Sequence, residues 1–234
     1  MVVVGFDTAT DDTTVCAARD GEIAHEVQRG PDAGGRPRHA TSLLEEVERS
    51  ASAAGGWDAV DLIAVGVGPG SFTGLRIGIA TAQGLCAGLG LPISGVCTLD
   101  ALGRGIRETG EGLALAVLDA RRGEVFVALY AVDGSRLWEP SAMAPAELAV
   151  RIAELSHPIL AAGSGAVRFR DELVGGGIEI PGDADPVHRV AARHVCALAA
   201  DARDGEAAGP VAPIYLRPPD AERWRERDTF QRTE

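Results

Sequence analysis

The chain has 234 residues, 46% of them hydrophobic. At about 100–200 residues per domain this allows one large or two small domains, with enough burial for a core that needs no staples. A net charge of −12, from 34 acids against 22 bases, argues against a protein that grips nucleic acid by itself, because such surfaces carry basic patches.

The amino terminus, MVVVGFDTATDD, is a short apolar run that meets acids at once. Without a basic n-region it reads as a strand, Val2–Asp7, rather than a signal peptide. Thr13–Ala18 reads as a second strand, Asp20-Gly21 as a hairpin turn and Glu22–Gln28 as a third strand. Pro31, Gly34, Gly35 and Pro37 make Gly30–Arg38 a loop. His39–Ala54 is a helix: Leu43, Leu44, Val47 and Ala51 share a stripe, and Glu45, Glu46, Glu48 and Arg49 fall mostly opposite. Leu62–Val67 is a continuous apolar strand, buried on both faces, that runs into Gly68-Pro69-Gly70-Ser71 and a helix over Thr73–Leu89. A short strand at Pro92–Gly95 and a helix over Thr98–Arg107 close the first half.

After a linker at Gly110–Gly112 the pattern restarts. Strands are expected at Leu113–Leu118, Glu124–Ala131, Arg136–Trp138 and Ile159–Ala162. Helices are expected at Ala146–Leu155, Gly165–Val174 and Val187–Arg203. Pro210–Pro219 reads as extended. The basic cluster from Arg217 to Arg232 is interrupted by Asp220, Glu222, Glu226 and Asp228, and the tail 219–234 is expected to be poorly ordered. No stretch of about 18 apolar residues is present, so no membrane span is expected. The cysteines Cys16, Cys86, Cys97 and Cys196 form no Cys-x-x-Cys pair. That suggests neither zinc nor redox chemistry and fits a reducing cytosol.

Gly68 to Gly78, GPGSFTGLRIG, carries the most information. It joins a buried strand to a helix that Ser71 can cap, a ready anion site, yet it lacks the Gly-x-x-x-x-Gly-Lys-[Ser/Thr] pattern of a P-loop. Gly74, Gly78 and Ala82 recur every four residues in that helix. A helix-interior glycine costs about 1 kcal/mol against alanine, so two imply close approach of another backbone: this protein's own sheet or a partner.

GPGSFTGLRIG, FDTATD at 6–11, RHATSLLEEV at 38–47, DARRGEVF at 119–126 and PIYLR at 213–217 together resemble the TsaB family of bacterial tRNA threonylcarbamoyladenosine biosynthesis proteins, in that family's order. The resemblance implies an α/β fold of two actin-like domains, of the sugar kinase and Hsp70 type, with the second reduced. The expected division is 1–108, carrying the partner interface, and 109–218. It also implies a cytoplasmic, non-catalytic scaffold that pairs with a TsaD-like paralogue as a heterodimer and with a TsaE-like ATPase. In such a complex, TsaD adds threonylcarbamoyl to adenosine next to the anticodon of tRNAs reading A-starting codons. tRNA is then met only through the complex, and a homodimer is open to the chain when alone. The implied interface lies on the first two long helices, at Leu43, Leu44, Val47, Gly74, Ile77, Gly78, Thr81, Ala82 and Leu85.

In actin-like ATPases the first strand ends in an acid followed by a phosphate-binding turn. Asp7, Thr8 and Thr10 stand there, and the alternative function is an ATPase or kinase using Asp7 and Thr8. The other reading is that these residues satisfy their own turn. No cofactor is firmly implied; a nucleotide at the complex interface stays open. TsaD-like proteins carry a His-x-x-x-His metal pair after a Gly-Val strand, where this chain has Thr98 and Leu102. Leucine cannot ligate and threonine is a poor transition-metal ligand, so neither a metal site nor a catalytic residue is expected. His39 reads as an exposed helix-start residue or a contact. Arg121 and Arg122 read as a solvated hairpin, with an Arg121–Glu124 pair worth under about 1 kcal/mol, or as cleft contacts. A chaperone-like regulator with other clients is a third reading.

Overall fold

The computed structural model describes residues 1–176, 178–202 and 211–217. The expectation for the tail 219–234, and all but Arg217 of the interrupted basic cluster, lies outside the described residues.

Two sheets organise the chain. The first is built from β1 (Val2–Asp7), β2 (Thr13–Arg19), β3 (Glu22–Arg29), β4 (Leu62–Gly68) and β5 (Ile93–Cys97), in the order β3-β2-β1-β4-β5. β1, β2 and β3 form an antiparallel meander, and β4 and β5 join in parallel. The second contains β6 (Leu113–Asp119), β7 (Val125–Tyr130), β8 (Arg136–Met143) and β9 (Ile159–Ala162), ordered β8-β7-β6-β9. It repeats the same scheme, an antiparallel meander with one parallel strand beside its first member, and stops one strand short.

The helices are α1 (His39–Ala53), α2 (Phe72–Leu89), α3 (Thr98–Arg107), α4 (Pro145–Ala153), α5 (Ser164–Arg168), α6 (Arg170–Leu173) and α7 (Ala192–Ala202). They make five layers with the sheets. α1 and α2 cover one face of the first sheet through Leu43, Val47, Ile79 and Ala82. α3 and α7 fill the space between the sheets, where Leu99, Leu102 and Ile106 meet Val3, Ala64, Ala116 and Ala128. α4 to α6 cover the far face of the second sheet through Leu148, Ile152, Ala166 and Leu173. Each fully buried Leu, Ile or Val contributes about 1.5–3 kcal/mol against exposure. Layers of aliphatic and alanine side chains therefore suffice in a chain with only 4% aromatics.

Local chemistry sets the element ends. The Ser71 hydroxyl caps α2 by accepting from the Gly74 N–H (3.3 Å), and Gly90 ends the helix in a left-handed turn (φ 70°). Three expectations need correction. Val187–Arg203 is helical only from Ala192; Pro186–His188 is a single 3₁₀ turn, after which the chain extends so that the Ala192 N–H reaches Thr14 Oγ1 (3.1 Å). Gly165–Val174 breaks at Phe169 into two short helices. Glu46 does not face solvent but is 3% exposed, accepting from Arg29 Nε (2.8 Å) and Arg49 Nη1 (2.7 Å). Among the described residues no helix is long and apolar enough to cross a membrane.

Candidate functional site

The ends of β1 and β6 face each other across a cleft of about 790 Å³ between the sheets. Its walls are the turn after β1, the loop before α2, the hairpin after β6, and the segments 188–190 and 214–217.

Asp7 ends β1 and is 1% exposed. Its Oδ1 accepts from the Ala9 N–H (2.6 Å) and its Oδ2 from Thr98 Oγ1 (2.7 Å). Thr98 Oγ1 in turn accepts from the Gly68 N–H (3.2 Å). Gly66 lies so close that a Cβ there would fall 1.8 Å from Asp7 Oδ2. Burial pushes the Asp7 carboxyl above its usual range, against the two hydrogen bonds that favour its charge. Thr8 turns its hydroxyl inward to donate to the Gly74 carbonyl (2.8 Å), and a Cβ on Gly78 would stand 2.3 Å from that hydroxyl oxygen. Thr10 lines the cleft, with its Oγ1 accepting from the Asp12 N–H (3.3 Å).

This arrangement does not fit a metal–nucleotide site of the actin-like kind. Both Asp7 oxygens are bonded inside the protein, and the Thr8 hydroxyl points away from the cleft. Only Thr10 of the three candidates opens onto it. At the positions compared with the TsaD metal pair, Thr98 is spent on Asp7, and Leu102 is 1% exposed in the core between the sheets. Among the described residues no three His, Cys, Asp or Glu side chains gather in a group that could hold a metal.

His39 is not the exposed helix-start residue expected; it is 4% exposed. Its Nε2 donates to the Thr10 carbonyl (3.0 Å), which leaves Nδ1 to accept from Thr13 Oγ1 (2.8 Å). Burial pushes its pKa below the usual value and keeps it neutral. The expected Arg121–Glu124 pair is also replaced. Arg121 Nη2 reaches Asp11 across the cleft, to Oδ1 at 2.9 Å and Oδ2 at 2.8 Å, while Glu124 pairs with Arg217. Arg189 Nε donates to Asp12 (2.7 Å) and Arg168 Nη1 to Asp119 (2.7 Å).

The segment after residue 210 ties these parts together. The Ile214 N–H donates to the Val67 carbonyl (2.7 Å). Tyr215 packs on Phe72 with ring centroids 5.3 Å apart, and Arg76 lies over the same Phe72 ring at 3.8 Å. Arg217 bonds Glu124 and the Ala120 carbonyl. The PIYLR and DARRGEVF motifs are therefore neighbours in space. Asp12 and Arg189 lie outside the quoted motifs, and their partners come from other elements; Asp11 and Asp119 stand inside FDTATD and DARRGEVF.

The interface candidates divide by exposure. Leu43, Val47, Gly74, Gly78 and Ala82 are buried within this chain, against its own sheet and Thr8. Gly74, Gly78 and Ala82 thereby account for the small-residue stripe as packing within this chain. Leu44 is 60% exposed, and Ile77, Thr81 and Leu85 are half-buried on the outer side.

Two sheets of repeated topology with helices between and outside them, and a cleft at the ends of their first strands, define a two-lobed fold of the actin-like kind. The ROK hexokinase of Thermus thermophilus has this fold, with a TM-score of 0.53 at 14% identity over 88% of this chain and 100% of that one. Residues 34–170 match the family described as "TsaD: tRNA N6-adenosine threonylcarbamoyltransferase". The Escherichia coli tRNA threonylcarbamoyladenosine biosynthesis protein TsaB is 34% identical over 171 residues, which cover 70% of this chain and 72% of that protein. YeaZ from Pseudomonas aeruginosa superposes with a TM-score of 0.73 at 27% identity, covering 92% of this chain and 99% of that one. The chain belongs to the TsaB family.

Proposed function

We propose that this chain serves tRNA threonylcarbamoyladenosine biosynthesis as a non-catalytic scaffold. It pairs with a TsaD-like paralogue, keeps that subunit in its active form and helps dock a TsaE-like ATPase. The paralogue then transfers threonylcarbamoyl to adenosine next to the anticodon of tRNAs that read A-starting codons. The observation that carries this reading is the closed knot of Asp7, Thr8 and Thr98, whose polar atoms bond within the protein instead of facing a substrate. Residues 1–108 would carry the partner face and 109–218 the second lobe. The outer residues Leu44, Ile77, Thr81 and Leu85 on α1 and α2 are the part of the expected interface left available, and without the paralogue the same face can pair two copies. With a net charge of −12, tRNA is met through the complex, in the cytoplasm, and any nucleotide sits at the interface between subunits.

The test is reconstitution. ATP, threonylcarbamoyl-adenylate and tRNA are incubated with this chain alone, with the TsaD-like paralogue and TsaE-like ATPase, and with all three. Modified adenosine is expected only with the full set, and unchanged when this chain carries Asp7→Asn. Turnover by the chain alone, lost in Asp7→Asn, would instead establish an actin-like enzyme using Asp7 and Thr8.

A further inference from the structure

The turn after β1 is bonded to every element around it. Thr8 holds the first turn of α2 through Gly74, and the Ser71 N–H donates to the Ala9 carbonyl (2.7 Å). His39, the first residue of α1, holds Thr10 and Thr13 from below. Asp12 takes Gln28 of β3 (3.2 Å) and Arg189. Asp11 reaches across the cleft to the hairpin after β6, where both its oxygens meet the Arg121 guanidinium.

The hairpin that presents Arg121 is built for placement. Arg121, Arg122 and Gly123 are consecutively left-handed, at φ 62°, 55° and 77°. Non-glycine residues rarely adopt this region, and holding two in succession costs on the order of 1 kcal/mol each. The Arg121 N–H donates to Asp119 Oδ1 (2.8 Å) and the Glu124 N–H to the Arg121 carbonyl (3.1 Å), which offsets that cost. A run of direct contacts therefore leads from the second lobe through Asp11 to the first residues of both α1 and α2.

We propose that Arg121 is a positioning residue for the partner-facing helices: its Nη2, bonded to both oxygens of Asp11, latches the cleft and, through the turn 8–13, sets the angle at which α1 and α2 leave the sheet. Arg121 touches no partner in this scheme; it acts by fixing the turn to which His39 and Gly74 are bonded. The inference rests on the reading of α1 and α2 as the partner face. The latch pair is exposed, with side chains 63% and 45% accessible. Such a pair can bias binding by no more than its own worth, which sets a ceiling of about fivefold.

The experiment is calorimetric titration of the full chain with the TsaD-like paralogue, with hydrogen exchange of the free chain alongside. Arg121→Ala and Asp11→Ala are each expected to weaken binding about two- to fivefold and to speed exchange of the amides at 41–45. The double variant should be no weaker than either single one, and the exchanged pair Asp11→Arg with Arg121→Asp should restore affinity. Leu44→Arg tests the underlying reading separately. If Leu44→Arg abolishes binding while Arg121→Ala leaves affinity and exchange unchanged, the latch is overturned and the interface stands. If Leu44→Arg binds normally, the interface reading falls and the latch with it. Should the exchanged pair bind no better than the single variants, the effect of Arg121 does not run through Asp11, and the proposal fails.

Discussion

The two lobes place an aspartate at the end of their first strand and dress it in opposite ways. Asp7 closes β1, lies 1% exposed, and is held by an amide and a hydroxyl. Asp119 closes β6, keeps a side chain 10% exposed, and is held by the Arg168 guanidinium and the Arg121 amide. One carboxyl has its charge disfavoured by burial and the other is met by charge. The contrast teaches that the same topological position can be turned into a packing element or kept as an electrostatic anchor. In this chain the first lobe took the former course, because Gly66, Gly74 and Gly78 bring backbone down onto the Asp7–Thr8 step.

The largest test of that contrast is steric. Gly78→Arg must place its Cβ 2.3 Å from Thr8 Oγ1, so it should abolish cooperative unfolding in circular dichroism, a loss of at least about 4 kcal/mol. A wild-type melt would show that α2 can lift away from the turn. Next is Thr98→Val, which keeps shape and strips a donor from buried Asp7 and an acceptor from the Gly68 N–H. It should cost about 1–3 kcal/mol in chemical denaturation.

A third test uses pH. Asp7 has its folded pKa raised by burial, so its ionised form is penalised in the folded state, and this group's contribution to stability falls as pH rises through that value. Asp7→Asn carries no such penalty. The variant should therefore melt at or above the wild type at pH 7, with the gap closing as pH is lowered towards about 4, the ordinary carboxylate range. A gap that widens on acidification would mean Asp7 is stabilised as an anion, like a paired surface acid. The smallest effect belongs to the second lobe. Arg168→Ala removes a half-exposed pair with Asp119 and should change stability by less than about 1 kcal/mol, further reduced by salt.

Much of the scaffold was legible in the sequence. The bounds of β1, α3 and β9 follow directly from apolar period and punctuation, since each lies between turn residues and packs on its own stripe. The family motifs marked the cleft walls before any of them could be placed together. What stayed hidden depends on partners from distant elements. Glu46 looks like any charged helix residue until β3 brings Arg29 against it, and His39 looks exposed until the turn 10–13 folds over it. Arg121 has Glu124 nearby in sequence, but the left-handed hairpin aims it at Asp11 in the other lobe. The glycine stripe of α2 signals close approach of another backbone, and the family resemblance points to a partner's. The distances from Gly74 and Gly78 to Thr8 put this chain's own turn against both glycines.

The position of α7 has a consequence for how the protein is made. This helix covers the inner face of the first sheet: Cys196 Sγ would stand 2.6 Å from a Cβ on Gly5, and the Ala192 N–H bonds Thr14. The strands it covers leave the ribosome well before their lid does. Val3, Cys16 and Ala64 are thus bare until α7 has been made, a long-range closure that is slow and prone to association while it waits. A nascent chain arrested before Ala192 should be open to chaperone capture, whereas one released after α7 can seal itself.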